Sequence, residues 1–156
     1  MKIILGADHG GFQLKERIKK HLRDQEIDVE DCGTHSTQSV DYPDFGQAVG
    51  QIVARGKATF GIIVCGTGIG ISIAANKVPG VRAAVCTNCY MARMAREHND
   101  ANVLALGERV LGPELALAIV DSFLTTAFAG GRHAGRVAKL EDGTANPPVC
   151  CLTCSS

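Results

Sequence analysis

The chain has 156 residues, a length that favours one domain with a single substantial core. Hydrophobic residues make up 46% and charged residues 21%, a balance that excludes a disordered chain or a coiled coil. Sixteen basic and sixteen acidic residues cancel, so the chain lacks the basic excess with which proteins neutralise nucleic-acid phosphates. Seven cysteines cannot close a complete disulfide framework, and the apolar run after Met1 is too short for a signal peptide. We therefore expect a reduced, cytoplasmic protein that binds no nucleic acid.

Apolar runs and helical apolar stripes alternate five times along the chain. In chain order, the predicted elements are a strand at 2–7, a helix carrying Leu14, Ile18 and Leu22, a strand at 27–32, a helix carrying Phe45, Val49 and Val53, a strand at 60–65, a short helix at 71–76, a strand at 82–86, a helix carrying Tyr90, Met91, Met94 and Ala95, a strand at 103–106, and a helix carrying Leu115, Ile119 and Phe123.

The character of the strands indicates how they are covered. Most are apolar without alternation, as in strands buried on both faces, whereas residues 27–32 alternate with acidic side chains, as at a sheet edge. This order predicts an α/β protein, a three-layer αβα sandwich around a five-stranded parallel, Rossmann-like sheet.

The last part of the chain differs from the rest. Residues 132–140 fit a further helix, whereas residues 141–156 contain two prolines and three cysteines and show no periodicity. We expect one domain at residues 1–140, followed by an irregular, poorly ordered tail at 141–156. Residues 58–76 carry no charge, but their glycines indicate a strand, a loop and a helix, so we expect no membrane span.

Three predicted strands end in residues suited to ligand binding, and ligands of open parallel sheets bind at that edge. The sequences at these ends are Asp8-His9-Gly10-Gly11, Cys65-Gly66-Thr67-Gly68-Ile69-Gly70 and Gly107-Glu108-Arg109. The glycine loop lacks the acid of a dinucleotide fingerprint, the lysine of a Walker loop and the arginine of a phosphatase loop. It is either an anion site made of N–H groups at the start of a helix or a tight strand-to-helix turn.

Cys65 ends a predicted buried strand and precedes the start of a helix. The positive end of a helix stabilises a thiolate, which can act as a base near neutral pH; the alternative is a buried apolar cysteine. Cys32 and Cys86 have no such loop and are interpreted as core residues. The Cys86/Cys89 and Cys151/Cys154 pairs have the spacing of zinc ligands but lie far apart in sequence, so no metal site is predicted.

Two further groups stand away from the glycine loop. Arg132 and Arg136 are four residues apart, and on a helix they share one face. Such a face is either a phosphate-binding site or a solvated charged surface. His98 and Asn99 precede the fifth strand, which puts them at the edge of the sheet opposite Cys65. They are either structural or part of a neighbouring subunit's site.

Together these motifs stand in a specific order: Asp8-His9-Gly10-Gly11, Asp41-Tyr42-Pro43-Asp44, the run from Cys65 to Lys77, Arg82-Ala83, His98-Asn99-Asp100-Ala101-Asn102, Gly107-Glu108-Arg109 and Gly130-Gly131-Arg132-His133. In this order they resemble the ribose-5-phosphate isomerases of the B type, a family that includes allose-6-phosphate and galactose-6-phosphate isomerases. The resemblance covers residues 1 to about 140 and does not extend into the tail. It implies a homodimer or homotetramer whose site is shared between subunits, and an aldose–ketose isomerisation of a small sugar phosphate without metal or organic cofactor.

The resemblance also implies a role for each matching residue in the reaction from ribose 5-phosphate to ribulose 5-phosphate. Cys65 is the base that moves a proton between C2 and C1 through an enediolate, and Thr67 hydrogen-bonds Cys65 or the sugar. His98 of the partner subunit opens the furanose ring, and Asp8 holds the ring hydroxyls. Hydrogen-bond donors placed around the enediolate oxygen supply a large part of the rate enhancement in such reactions.

The remaining matches are binding residues. The implied oxyanion site consists of backbone N–H groups in the glycine loop and of Asn99 from the partner subunit. The implied binding residues are His9, Tyr42, Gly66, Gly68, Ile69, Gly70, Asn99, Arg109, Arg132 and Arg136. Three alternatives stay open from the sequence: an isomerase of six-carbon sugar phosphates, a non-catalytic sugar-phosphate or nucleotide-binding module, and a protein stabilised by zinc at the paired cysteines.

Overall fold

A computed structural model describes residues 1–141 of the chain. Its strands are β1 Lys2–Ala7, β2 Asp28–Asp31, β3 Phe60–Cys65, β4 Ala83–Val85 and β5 Val103–Gly107. Its helices are α1 Phe12–Asp24, α2 Tyr42–Ala54, α3 Ile69–Ala75, α4 Cys89–Asn99, α5 Pro113–Thr125 and α6 Arg132–Glu141. The predicted alternation of strands and helices is confirmed.

The strands form one parallel sheet in the order β2-β1-β3-β5-β4. Successive strand side chains point to opposite faces, so each strand contributes to two cores. One core packs Leu5 and Leu104 against α1, α4 and α5, and the other packs Ile63 and Val103 against α2 and α3. This is the predicted three-layer sandwich. The partly exposed β2 lies at one edge, as its acidic alternation indicated.

Several elements differ from their predicted bounds by one or two residues. β2 covers 28–31 rather than 27–32, β5 extends to Gly107, and β4 and α3 also differ. β4 is confined to Ala83–Val85 because the N–H of Arg82 donates to the side-chain Oδ1 of Asn102 at 2.8 Å rather than entering the sheet. α3 begins at Ile69, two residues before the predicted start. Gly68 has a φ of 81°, which turns the chain at once, and the Thr67 hydroxyl accepts the N–H of Ile69 at 3.3 Å.

The sheet register brings three site loops together. Cys65 pairs with Gly107 across β3 and β5, and Val64 pairs with Ala7 across β3 and β1. The loops that follow these three strands therefore start side by side at the carboxyl edge of the sheet.

Two glycines in the left-handed backbone conformation directly precede the last helix. Gly130 and Gly131 have φ values of 62° and 54°, a conformation that favours glycine, and α6 follows directly. Helix α6 ends at Glu141, one residue inside the predicted tail. The expectation of poor order for the tail otherwise falls on residues 142–156, outside the described residues. Among residues 1–141, no helix has the length and apolarity needed to cross a membrane.

Candidate functional site

Cys65 lies at the centre of the carboxyl edge, buried at the end of β3. Its Sγ accepts the backbone N–H of Gly68 at 3.1 Å, which orients the sulfur into the glycine loop. Cys32 and Cys86 lack a comparable setting. Burial raises the pKa of each thiol to about 11, with the nearby Asp31 charge adding to the effect at Cys32. Those two thiols stay protonated at neutral pH, and their interpretation as core residues agrees with the packing.

The glycine loop is held by hydrogen bonds among its own residues. Thr67 is exposed, and its hydroxyl accepts the Ile69 N–H rather than bonding Cys65. The N–H groups of Gly68 and Ile69 thus have partners inside the loop, so an anion would be held by the other loop amides. A Cβ at Gly70 would stand 2.8 Å from the ring of Tyr42, so the exposed tyrosine lies directly against the loop.

The loop after β1 lies against Cys65. Asp8 is buried, and its Oδ1 accepts the Gly10 N–H at 2.9 Å. A Cβ at Gly11 would stand 2.5 Å from the carbonyl carbon of Val64 and 2.8 Å from the nitrogen of Cys65, so only glycine fits this approach. The Nδ1 of the neighbouring His9 lies 3.2 Å from both the nitrogen and the oxygen of Val40. These contacts fix Asp8 and His9 within the loop after β1, and Gly11 brings that loop against the backbone of Cys65.

The loop after β5 closes the third side of this group. The N–H of Glu108 donates to the Cys65 carbonyl at 2.9 Å, and the N–H of Arg109 donates to the Gly66 carbonyl at 3.0 Å. A Cβ at Gly66 would stand 3.4 Å from Nη1 of Arg109, so the guanidinium lies over the glycine loop. The structure thus brings ten of the predicted residues to this edge of the sheet. We call them the thiol group: Asp8, His9, Tyr42, Cys65, Gly66, Thr67, Gly68, Ile69, Gly70 and Arg109.

The remaining predicted residues form a second group at the end of α4. The rings of His98 and His133 stack at 4.2 Å with an angle of 5° between their planes, joining α4 to α6. A cavity of about 310 Å³ opens beside them, lined by His98, Asn99, His133, Arg136, Val137 and Leu140. Arg132 begins α6 and is exposed. We call His98, Asn99, Arg132 and Arg136 the imidazole group.

His133 was not among the predicted site residues. It is 9% exposed on a helix that is otherwise mostly exposed. Burial first, and then the neighbouring side chains of His98, Arg132 and Arg136, lower the pKa of His133, which favours its neutral form at neutral pH. The only signal in the sequence was its place in the Gly130-Gly131-Arg132-His133 motif, because burial here depends on how α6 meets α4.

The two groups do not meet within one chain. The thiol group stands at the carboxyl edge of the sheet, whereas α4 ends at Asn99, just before the amino end of β5. The five-residue strand β5 separates these edges by about 13 Å. The predicted placement of His98 at the edge opposite Cys65 is confirmed. One edge of the sheet thus carries a buried thiol and an arginine, and the other carries imidazoles and two more arginines.

Metal coordination has no comparable support in the described part of the chain. Between residues 1 and 141, no group of three or more His, Cys, Asp or Glu side chains is placed to hold a metal ion. Cys86 and Cys89 are free thiols, and the second cysteine pair of the zinc alternative lies outside the described residues.

Known proteins of one family resemble this chain over most of its length. The chain matches the model of the Ribose/Galactose Isomerase family over residues 3–140. It is 52% identical over 136 residues to ribose-5-phosphate isomerase B of Escherichia coli (strain K12), covering 87% of this chain and 91% of that protein.

Solved structures give the same result. The chain superposes on ribose-5-phosphate isomerase B of Clostridium thermocellum with a TM-score of 0.90 and 62% identity, covering 91% of this chain and 96% of that one. It superposes on ribose-5-phosphate isomerase B of Mycoplasma genitalium with bound ribulose-5-phosphate with a TM-score of 0.88 and 40% identity, covering 91% of this chain and 95% of that one.

Proposed function

The chain belongs to the ribose/galactose isomerase family, and we propose that it interconverts ribose 5-phosphate and ribulose 5-phosphate. The observation that carries this proposal is the buried Cys65 thiol, held by the Gly68 N–H where the loops that carry Asp8, His9 and Arg109 start side by side. A binding module needs cationic groups for a phosphate, but it does not need a thiol positioned in a glycine loop at the start of a helix. The ribulose-5-phosphate named for the Mycoplasma genitalium relative fits the same reaction.

The chemistry requires one base and a set of anion-stabilising donors. The Cys65 thiolate removes the proton from C2 of the open-chain aldose, and the electron pair forms the C1–C2 double bond of an enediolate with its charge on O1. The remaining hydroxyl proton moves from O2 to O1, and the thiol returns its proton to C1, which gives the ketose. The unpaired loop amides and Asn99 of the partner subunit stabilise the oxyanion. No atom is gained or lost, and the scheme needs no metal or organic cofactor.

The other residues prepare and hold the substrate. His98 of the partner subunit transfers the proton that opens the furanose ring, while Asp8 holds the sugar hydroxyls. Tyr42 lines the sugar pocket. The phosphate binds His9 and Arg109 of one subunit and Arg132 and Arg136 of the other, since guanidinium groups suit phosphate oxygens. We propose a cytoplasmic homodimer or homotetramer, because only a second copy can bring the imidazole group to the thiol group.

The family name supports a second candidate substrate. The matched family includes galactose isomerases, so a six-carbon sugar phosphate is the alternative to ribose 5-phosphate. Rates measured on ribose 5-phosphate, allose 6-phosphate and galactose 6-phosphate under the same conditions identify the substrate. Binding of these phosphates without turnover of any of them would support a non-catalytic module instead.

Formation of ribulose 5-phosphate from ribose 5-phosphate, without added metal, tests the reaction and its base. We expect turnover by the parent protein and a loss of about 100-fold or more with Cys65→Ala, because the variant lacks the base. Phosphate affinity should persist, since the arginines are unchanged. Cys32→Ala is the matched control, because this thiol also follows a strand but bonds only the Leu5 carbonyl, at 3.3 Å.

The outcomes separate the parts of the proposal. A fully active Cys65→Ala variant contradicts the assignment of the base while leaving the reaction intact. A folded parent protein without turnover on any of the three sugar phosphates contradicts the isomerase function itself.

A further inference from the structure

Helix α1 begins without a cap from its own residues. Its N-cap residue, Gly11, has no side chain to accept a hydrogen bond, and its first turn contains no acidic residue. The N–H groups of a first helical turn have no partners inside the helix, and an uncapped start lowers helix stability. Gly11 cannot be replaced by a capping residue, because a Cβ there would collide with the Val64 carbonyl group.

The cap comes from the loop after β5. Oε2 of Glu108 accepts the N–H of Leu14 at 2.8 Å, a contact between residues that are 94 positions apart. The carboxylate also places a negative charge at the positive end of α1. A charge-assisted bond of this kind is stronger than one between neutral groups.

The same residue is bonded to the reactive cysteine through its backbone. The Glu108 N–H donates to the Cys65 carbonyl, and the next residue, Arg109, donates to the Gly66 carbonyl. The side chain of Glu108 thus bonds the first turn of α1, which directly follows the loop after β1, while its backbone N–H bonds Cys65 at the end of β3. One residue of the loop after β5 therefore links the start of α1 to the end of β3.

We propose that Glu108 is a positioning residue for the isomerisation. It holds the Asp8–Gly11 turn against the backbone of Cys65 and keeps Arg109 over the glycine loop, without touching the reacting atoms itself. This inference rests on the proposed function, because it concerns the alignment of the base with the groups that bind its substrate. Displacements of about 1 Å in such an arrangement can lower a rate about 100-fold.

Two substitutions separate the hydrogen bond from the charge. Glu108→Gln keeps an oxygen acceptor for the Leu14 N–H, and we expect it to retain kcat within about threefold of the parent. Glu108→Ala removes the acceptor, and we expect kcat to fall at least about tenfold, with a smaller change in KM. Glu114→Ala is the matched control, because Glu114 stands in the first turn of α5, outside the thiol group, and should keep the parent kcat.

A third variant distinguishes positioning from simple support of the helix. Gln13 is exposed in the first turn of α1, so the double substitution Glu108→Ala with Gln13→Glu returns a negative charge to the helix start without rejoining the loops. We expect it to recover thermal stability while kcat stays low. Recovery of both would overturn the inference and reduce Glu108 to a helix cap, as would parent-like kcat in a folded Glu108→Ala variant.

A measurement that does not need turnover completes the test. The rate at which iodoacetamide alkylates Cys65, followed by mass spectrometry of its peptide, reports the setting of the thiol directly. We expect the alkylation rate to change about threefold or more in Glu108→Ala and in the double variant, but not in Glu108→Gln. A parent protein without isomerase activity contradicts the proposed function, and the alkylation rate then still tests whether Glu108 positions the Cys65 thiol. An alkylation rate that is unchanged in Glu108→Ala overturns that positioning role.

Discussion

At the scale of single residues, close backbone approaches decide how the thiol group is built. Gly107 ends β5 directly beside the glycine loop, and a Cβ there would stand 2.6 Å from the carbonyl carbon of Thr67 and 2.7 Å from its oxygen. These are backbone atoms, which cannot rotate away as the end of a flexible side chain can. The loop that holds Cys65 therefore depends on the absence of a side chain on the neighbouring strand.

Gly107→Ala should therefore disturb both stability and activity. We expect the overpacked backbone to lower the free energy of unfolding by about 1–3 kcal/mol, and kcat to fall because Thr67 must shift next to Cys65. Urea denaturation and isomerase assays on the same preparations check both effects. Gly112→Ala is the control, since a Cβ there meets no atom within 4 Å. Equal behaviour of the two variants would show that the loop yields without cost.

Residue identity predicted some of these roles but not the contacts that produce them. Cys65 could be singled out because a cysteine between a buried strand and a glycine loop has a recognisable chemistry. The sequence did not predict that the Thr67 hydroxyl accepts the Ile69 N–H, because a threonine in a loop has several acceptable partners. Glu108 and His133 could not be placed, because their contacts join positions whose proximity depends on the folded sheet and on the packing of α6.

At the scale of elements, a buried ion pair ties α1 to β2. Lys15 is fully buried, and its Nζ donates to Oδ2 of Asp31 at 2.7 Å and to the Thr34 carbonyl at 2.9 Å. Lys19 donates to the same oxygen of Asp31 at 2.7 Å. Burial alone would raise the pKa of Asp31, but the hydrogen bonds from the two lysines outweigh it, and the pKa lies below its ordinary value.

This pair predicts how acid affects stability. Because the folded state favours the Asp31 carboxylate, its stabilisation is fully present above the unfolded-state pKa of about 3.9 and is lost as the pH falls through the folded-state value. Asp31→Asn should weaken the pH dependence of unfolding in that acidic range and, by loss of charged hydrogen bonds, lower stability at neutral pH by roughly 2 kcal/mol. Urea denaturation measured across a pH series checks both effects.

Asp24→Asn provides the comparison for this prediction. Asp24 pairs with Lys20 on the exposed face of α1, where solvent screens the interaction. Its substitution should leave both the stability at neutral pH and the acid dependence close to those of the parent. An Asp31→Asn variant that behaves the same way would contradict the role of the buried pair.

The elements themselves were largely predictable, and their ends were not. Continuous apolar runs placed β1, β3, β4 and β5, because strands covered on both faces need such runs, and alternation with acidic residues placed β2 at the edge. The ends of β4 and α3 differ from prediction because side chains of Asn102 and Thr67 capture backbone N–H groups there. Hydrophobic periodicity does not predict these side-chain hydrogen bonds, since polar residues near an element boundary can bond either to the backbone or to solvent.

At the scale of the whole molecule, the thiol group and the imidazole group lie at opposite edges of the sheet. The alternation of strands and helices fixes which edge of a parallel sheet each loop occupies, so the separation of His98 from Cys65 could be predicted from their order alone. That order left a structural role or a neighbouring subunit's site open for His98, and the resemblance favoured the shared site that we propose. A closed dimer with twofold symmetry brings each group to the other twice, which gives two equivalent sites.

A complementation experiment tests this arrangement. Cys65→Ala and His98→Ala should each abolish most of the activity, because every site in either homodimer lacks one essential group. After the two variants are mixed, unfolded and refolded together, each mixed dimer contains one site with both Cys65 and His98 intact. Random pairing in a dimer makes half of the molecules mixed, so we expect about a quarter of the parent activity to return. A Cys65→Ala and His98→Ala double variant refolded with either single variant is the control and should stay inactive, because every site it can form lacks one of the two groups. Failure to recover activity from a mixture shown to contain mixed dimers would mean that both groups act within one chain, and it would remove the shared site from the proposed function.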